Sequence, residues 1–233
     1  MTKEKYKTLL VSLFVISLFC FSVANAKVVE ELPLFGKIIF VDAGHGGRDP
    51  GTMYGKIMEK DINLEISQKL QDTLMEKGAI VYMTRDSDED LSSEWDPQKK
   101  RGDLYRRIVM FRKKQADLYL SIHINWHAQA GIKGPEVLYN NINKENKYLG
   151  EILMNHFESS LNTKRVLKTT DLYMYRNTTV PGVLIECGYL SNYQERQLLQ
   201  SDTYQQKLAD IITDATIDFF QTRHQKITNE NES

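Results

Sequence analysis

Residues 37–52 read KIIFVDAGHGGRDPGT, an apolar run followed by a histidine among four glycines. Lys37 to Asp42 has the length and composition of a buried strand. A glycine-rich turn after such a strand serves a phosphate, a metal or a plain reversal of the chain. The phosphate templates fail here. A G-x-G-x-x-G match starting at Gly44 requires glycine where Asp49 stands, and a P-loop requires Lys-Ser/Thr after Gly51, which Thr52 follows instead. A structural turn accounts for the glycines and for Asp49-Pro50-Gly51. A lone histidine in such a turn is ordinarily structural, so a metal reading requires further ligands.

Outward from this stretch, short apolar runs alternate with amphipathic ones. Ile62, Ile66, Leu70 and Leu74 recur every four residues over 59–77, which predicts a helix stopped by Gly78. Further strands are expected over 79–85, 117–125, 134–140, 171–176 and 182–187. Further helices are expected around the stripe Leu104, Ile108 and Phe111, over about 144–161, and near 202–222. The polar stretch from Asp86 to about Gly102 is long for a connection and is expected at the surface beside a site. Strands alternating with helices predict an α/β fold with helices on both faces of the sheet.

The chain has 233 residues, 41% hydrophobic, with 30 basic and 31 acidic side chains, which suits one globular domain and makes no demand for a nucleic-acid partner. Lys3, Lys5 and Lys7 precede the uncharged stretch Thr8 to Ala26, which ends Ala24-Asn25-Ala26. This is the form of a secretory signal peptide, with cleavage before Lys27. An uncleaved membrane anchor is the alternative, and either places the domain outside the cytoplasm. Membrane contact is expected only through this segment, if it is retained. The expected layout is signal or anchor over 1–26, linker over 27–36, one domain over 37–222 and a frayed polar tail over 223–233. Beyond Cys20 in the leader, Cys187 is the only cysteine, so no internal disulfide is available.

Candidate ligands lie on three other segments. His123 ends the apolar run LYLSIH, Glu186 ends VLIE, and Glu59 opens the helix after the glycine loop, fourteen positions beyond His45. Polar residues at the ends of buried strands face the crevice where open α/β sheets keep their sites. Two imidazoles and one carboxylate form a common catalytic zinc set, with a further glutamate free to act as base. The residues alone leave Glu59 and Glu186 interchangeable between those roles. His127 is read as a loop residue, and neither it nor Asn125 is assigned a role in the site. The cluster Lys99, Lys100, Arg101, Arg106, Arg107, Arg112, Lys113 and Lys114 is read as a solvated helix face, and Cys187 as a small buried hydrophobe.

The segments DAGHGGRDPG, EKDINL, TRDSD, ADLYLSIHIN and VLIECGYLSN, in this order, resemble the zinc-dependent N-acetylmuramoyl-L-alanine amidases over about Lys37 to Phe220. The layout is similar to the germination-specific, spore-cortex branch of that family. The resemblance implies a mixed, roughly six-stranded sheet flanked by helices. It also implies Zn²⁺ held by His45, Glu59 and His123, with Glu186 as catalytic base. The substrate it implies is peptidoglycan, cut between N-acetylmuramic acid and L-alanine as a step towards muramic lactam, with an activating or regulatory protein as partner. Arg107 coincides with an arginine common in the family. Ala43, Tyr189 and Arg112 depart from it, at positions usually proline, phenylalanine and asparagine. The functional alternatives are a non-catalytic peptidoglycan-binding or regulatory module on the same fold and a zinc peptidase cutting within the stem peptide.

Overall fold

The computed structural model describes Lys7, residues 11–17 and residues 32–231, with the side chains of Tyr175 and of residues 224–231 outside the description. Most of the expected signal or anchor therefore lies outside the described residues, as do residues 27–31 of the linker. The rest of that linker is held to the domain. Leu34 is fully buried, and its amide donates to the Lys77 carbonyl at 2.9 Å.

Six strands form one mixed sheet: β1 (Ile38–Ala43), β4 (Ile80–Met83), β5 (Leu118–Asn125), β6 (Glu136–Tyr139), β7 (Lys168–Thr169) and β8 (Gly182–Tyr189), in the order β4-β1-β5-β8-β6-β7. The pairs β4–β1, β1–β5, β5–β8 and β6–β7 are parallel, and β6–β8 is antiparallel. A separate two-strand hairpin, β2 (Met53–Tyr54) and β3 (Ile57–Met58), leads into α1 (Glu59–Glu76). The other helices are α2 (Lys99–Lys113), α3 (Lys144–Leu161), α4 (Tyr173–Arg176), α5 (Tyr193–Leu199) and α6 (Asp202–Asn231).

The strand period of two sorts each strand onto two faces. Ile39 and Val41 of β1, Leu118, Leu120, Ile122 and Ile124 of β5, and Val183, Ile185 and Cys187 of β8 enter the larger core under α1, α3 and α6. On α1, the stripe Ile62, Ile66, Leu70 and Leu74 is buried there. Each such side chain contributes about 1.5–3 kcal/mol when fully buried. The helix α3 begins where the Asn143 side chain accepts from the Glu145 amide at 2.9 Å and ends at Asn162 in the left-handed region, φ 52°. Opposite residues, Phe40, Tyr119 and Leu184, meet Ile108 and Phe111 of α2 and Met174 of α4.

Two expectations are corrected. DLYMYR alternates like a strand, but its last four residues form the helical turn α4, and the edge of the sheet is Lys168–Thr169. The segment has no strand beside it, and Met174 plugs the smaller core while Leu172 is exposed. The closing helix runs past 222 to Asn231, through the tail expected to fray. The hairpin β2–β3 and the helix α5 add elements that no periodicity announced, because two-residue strands carry no pattern.

Candidate metal centre

The smaller-core face continues towards the C-terminal ends of the parallel strands as Asp42 after Phe40, Ser121 and His123 after Tyr119, and Glu186 after Leu184. The register places Asp42 beside Ser121 and His123 beside Glu186. The sheet thus brings polar groups from three adjacent strands to one end of one face.

The glycine loop closes over that end. Gly46 and Asp49 exchange backbone hydrogen bonds of 3.0 and 3.1 Å, and His45 sits at φ 62°, a conformation that costs a non-glycine residue on the order of 1 kcal/mol. The Asp49 carboxylate holds His45 Nδ1 at 2.9 Å, which turns Nε2 into the site. Why the loop is glycine-rich is now plain. A Cβ at Gly44 would fall on the His123 ring, and one at Gly51, where φ is 67°, would meet Glu59 and His45. The glycines make room for the would-be ligands. Gly47 donates to Asp88 at 2.8 Å and Arg48 to Asp90 at 3.0 Å, so the polar stretch after β4 packs on the loop as expected.

His45 Nε2 lies 3.2 Å from Glu59 Oε1, and His123 Nδ1 lies 3.0 Å from the same oxygen. One donor atom from each residue falls within 4.8 Å of the others. Ligand atoms about 2.0–2.2 Å from a tetrahedral ion stand roughly 3.3 Å apart, and both imidazole nitrogens already stand close to that spacing from Glu59 Oε1. Glu59 is fixed from outside as well. Its Oε2 accepts from the Thr52 amide at 2.7 Å, and its Oε1 from Ile124 at 3.1 Å. Burial opposes its ionisation, but hydrogen bonds and charge from His123 and His45 prevail and hold it below the usual carboxylate range.

Burial likewise opposes the charge on His45, yet its hydrogen bonds to Glu59 and Asp49 raise it above the ordinary 6.5. A proton therefore competes with a cation for His45 Nε2 at pH values where a free histidine is already neutral. Metal affinity of the full chain is expected to go on climbing with pH above the ordinary histidine value of 6.5, with proton release, and to level off once His45 is neutral. Titration calorimetry in buffers of different ionisation enthalpy measures this. Affinity independent of pH there would contradict the shift.

Two arginines clamp the loop. Arg85 donates to the carbonyls of Ala43, His45, Gly44 and Lys60 at 3.0, 2.8, 3.0 and 2.8 Å. Arg107, fully buried, reaches Asp42 at 2.8 Å, the carbonyls of Ala43 and His45 at 2.7 and 2.6 Å, and Asp103 at 2.9 Å. The solvated-face reading of the basic cluster is therefore corrected at Arg107. Arg106 beside it is the exposed member and pairs with Asp96. Asp42 and Arg85 escaped sequence reasoning, although their presence in the DAGHGG and TRDSD segments was a signal.

Glu186 projects into a cavity of about 280 Å³ that His45, His123 and Tyr173 also line. Its Oε2 is buried and has no hydrogen-bond partner among the described residues. Burial, then the charges of Glu59 and Glu136, push its pKa up to about 8. Glu136, which sequence reasoning missed, pairs with Glu186 in register and is neutralised by Arg165 at 2.7 Å and Lys168 at 2.9 Å. Asn125 donates to Glu136 at 2.9 Å, whereas His127 is an exposed loop residue. Cys187 is buried and free, and His156 pairs with Asp218 at 2.7 Å.

A His-Glu-His donor set beside an unpaired buried carboxylate is the site of a metal-dependent hydrolase. Residues 39–218 match the family model described as N-acetylmuramoyl-L-alanine amidase. The chain is 39% identical over 197 residues to the germination-specific N-acetylmuramoyl-L-alanine amidase of Bacillus subtilis, covering 82% of each protein. Among solved structures it is similar to the CwlD amidase from Clostridioides difficile in complex with the GerS lipoprotein, with TM-score 0.77 and 32% identity, covering 80% of this chain and 100% of that one. It is also similar to the catalytic domain of CwlV from Bacillus (Paenibacillus) polymyxa, with TM-score 0.70 and 28% identity, covering 79% and 98%. The chain belongs to the N-acetylmuramoyl-L-alanine amidase family. It is an enzyme of peptidoglycan, acting on the bond between muramic acid and the stem peptide.

Proposed function

We propose that His45, Glu59 and His123 hold a zinc ion and that Glu186 is the proton-transfer group of an amidase working on spore-cortex peptidoglycan. The observation that carries the chemical part is the unpartnered Glu186 Oε2, buried beside the three-donor set. A zinc ion bound there supplies Lewis acidity, polarising the scissile carbonyl and making water a better nucleophile. Glu186 takes the proton of the water that attacks the carbonyl carbon, so that a C–O bond forms. It then delivers that proton to the alanine nitrogen as the C–N bond breaks, leaving the lactyl carboxylate and a free amine. Burial favours the proton-holding form between the two steps, and a nearby cation favours the ionised form that starts the cycle. His45 and His123 are kept in orientation by Asp49 and by packing on Gly44.

The cortex assignment is supported by the likeness to a germination-specific relative. In this reading the chain leaves the cytoplasm by the segment 1–26, as cleaved signal or retained anchor. It strips stem peptides so that a separate deacetylase and ring closure yield muramic lactam. A protein partner raises its activity, as the complex formed by the Clostridioides difficile relative suggests. In spores lacking this chain, muramic lactam is expected to disappear from the cortex and peptide-bearing muramic acid to accumulate, as read by muropeptide mass spectrometry. An unchanged lactam content would remove the cortex role while leaving the amidase.

A further inference from the structure

Beside the cavity at Glu186 lies a second, larger cleft of about 710 Å³, and Lys100, Leu104 and Tyr173 line both. The second cleft is basic. Lys99, Lys100, Arg101 and Arg176 line it. It sits at the N-terminal end of α2, which has no acidic residue in its first turn and no side-chain cap, so the helix dipole adds to the positive field. Among the described residues, no carboxylate pairs with Arg101 or Lys99. Arg101 is spread over the Tyr173 ring at 5.4 Å, and Lys99 is turned to the carbonyls of Ser93 and Glu94. The Arg176 contact to Asp171, at 3.4 Å, is between exposed groups and exchanges readily with solvent.

We propose that this cleft receives the carboxylates of the stem peptide, and so sets the direction in which the substrate lies across the site. The inference rests on the amidase activity, and follows from what that reaction must accommodate. On one side of the bond lies a neutral sugar polymer, on the other a peptide bearing free carboxylates. Lys100 is shared with Asp49 at 3.3 Å, which leaves Arg101 and the loosely held Arg176 as the cations a ligand can engage. Of the two sides of the bond, only the peptide gains from them. Arg101 and Arg176 are the specificity-determining residues, and amidation of a stem carboxylate weakens the substrate.

The test uses the full chain loaded with zinc and two preparations of peptidoglycan fragments. Their stem peptides differ only at the second residue, where the α-carboxyl is free in one and amidated in the other. The wild-type protein is expected to show a KM about ten-fold lower for the free acid, the size of two partly exposed ion pairs of about 0.7 kcal/mol each. Arg101→Gln with Arg176→Gln should bring the two KM values together and leave kcat and the bond cut unchanged. Rising salt should erode the wild-type preference and leave the variant indifferent. Both side chains are exposed, and unchanged thermal unfolding of the variant confirms that its fold is intact. Equal KM values in the wild type, or a preference that survives in the double variant, would overturn the assignment while both substrates are still cut. No hydrolysis of either would remove the amidase activity and this inference with it.

Discussion

Glu186→Gln is expected to bind zinc as the wild type does and to hydrolyse peptidoglycan about 10³–10⁴ times more slowly, the upper part of the range for general acid–base groups, since one residue serves both transfers. The side chain lies on β8 opposite His123 in register, yet it belongs to no ion pair and its Oε2 touches no donor among the described residues. Removing its charge therefore breaks nothing structural. Glutamine keeps the shape and loses only the ability to accept and return a proton. His45→Ala has the opposite signature, with metal and activity lost together, because Nε2 is one of three converging donors. Metal content by mass spectrometry and turnover with purified fragments separate the two. A Glu186→Gln protein of normal activity would take the proton-transfer role away from this residue.

Arg107→Met is the second large effect, on stability. The guanidinium is fully buried and joins Asp42, Asp103 and two carbonyls of the glycine loop. The substitution strips two buried carboxylates of their cation and leaves the Ala43 and His45 carbonyls to Arg85 alone, a loss of about 3–5 kcal/mol. In a domain of this size that is roughly 6–20 °C in Tm. The loop carrying His45 loses one of its two clamps, so metal affinity should fall as well. Arg107→Lys should not rescue either property, since an ammonium cannot reproduce the fork. The same cluster has a pH signature. Burial works against the charge on Asp42, but Arg107 and Ser121 hold its pKa below 3.8, so its contribution is complete above that value and is lost as the pH falls further. Arg107→Met should flatten that acid limb. A variant as stable as the wild type would mean that the clamp is ornamental.

What the sequence made legible follows from pattern length. The helices α1 and α3 span 18 residues each, long enough for their bounds to be read closely, and on α1 the apolar stripe and Gly78 mark them. The long buried strands β5 and β8 were readable for the same reason, and His123 and Glu186 stood out as polar endings to apolar runs. Their adjacency is a matter of register, which no single strand encodes. DLYMYR misled because alternation states only that one side is buried, not that a strand lies alongside. Arg107 was hidden by company. Within a run of basic residues, only packing distinguishes the exposed Arg106 from the buried Arg107. On the residues alone Glu59 and Glu186 were interchangeable, and only the resemblance chose between them; in the structure Glu59 stands between two imidazoles, and Glu186 Oε2 has no partner among the described residues.

The identity of the bond cut tests the account most directly. Peptide-bearing peptidoglycan is digested with the zinc-loaded full chain and, in parallel, with Glu186→Gln, and the products are weighed by mass spectrometry. The account predicts intact stem peptides beginning at a free L-alanine amine and glycan with bare lactyl carboxylates, formed only by the wild-type protein. Cleavage within the stem peptide, or equal release by the Glu186→Gln protein, would contradict it.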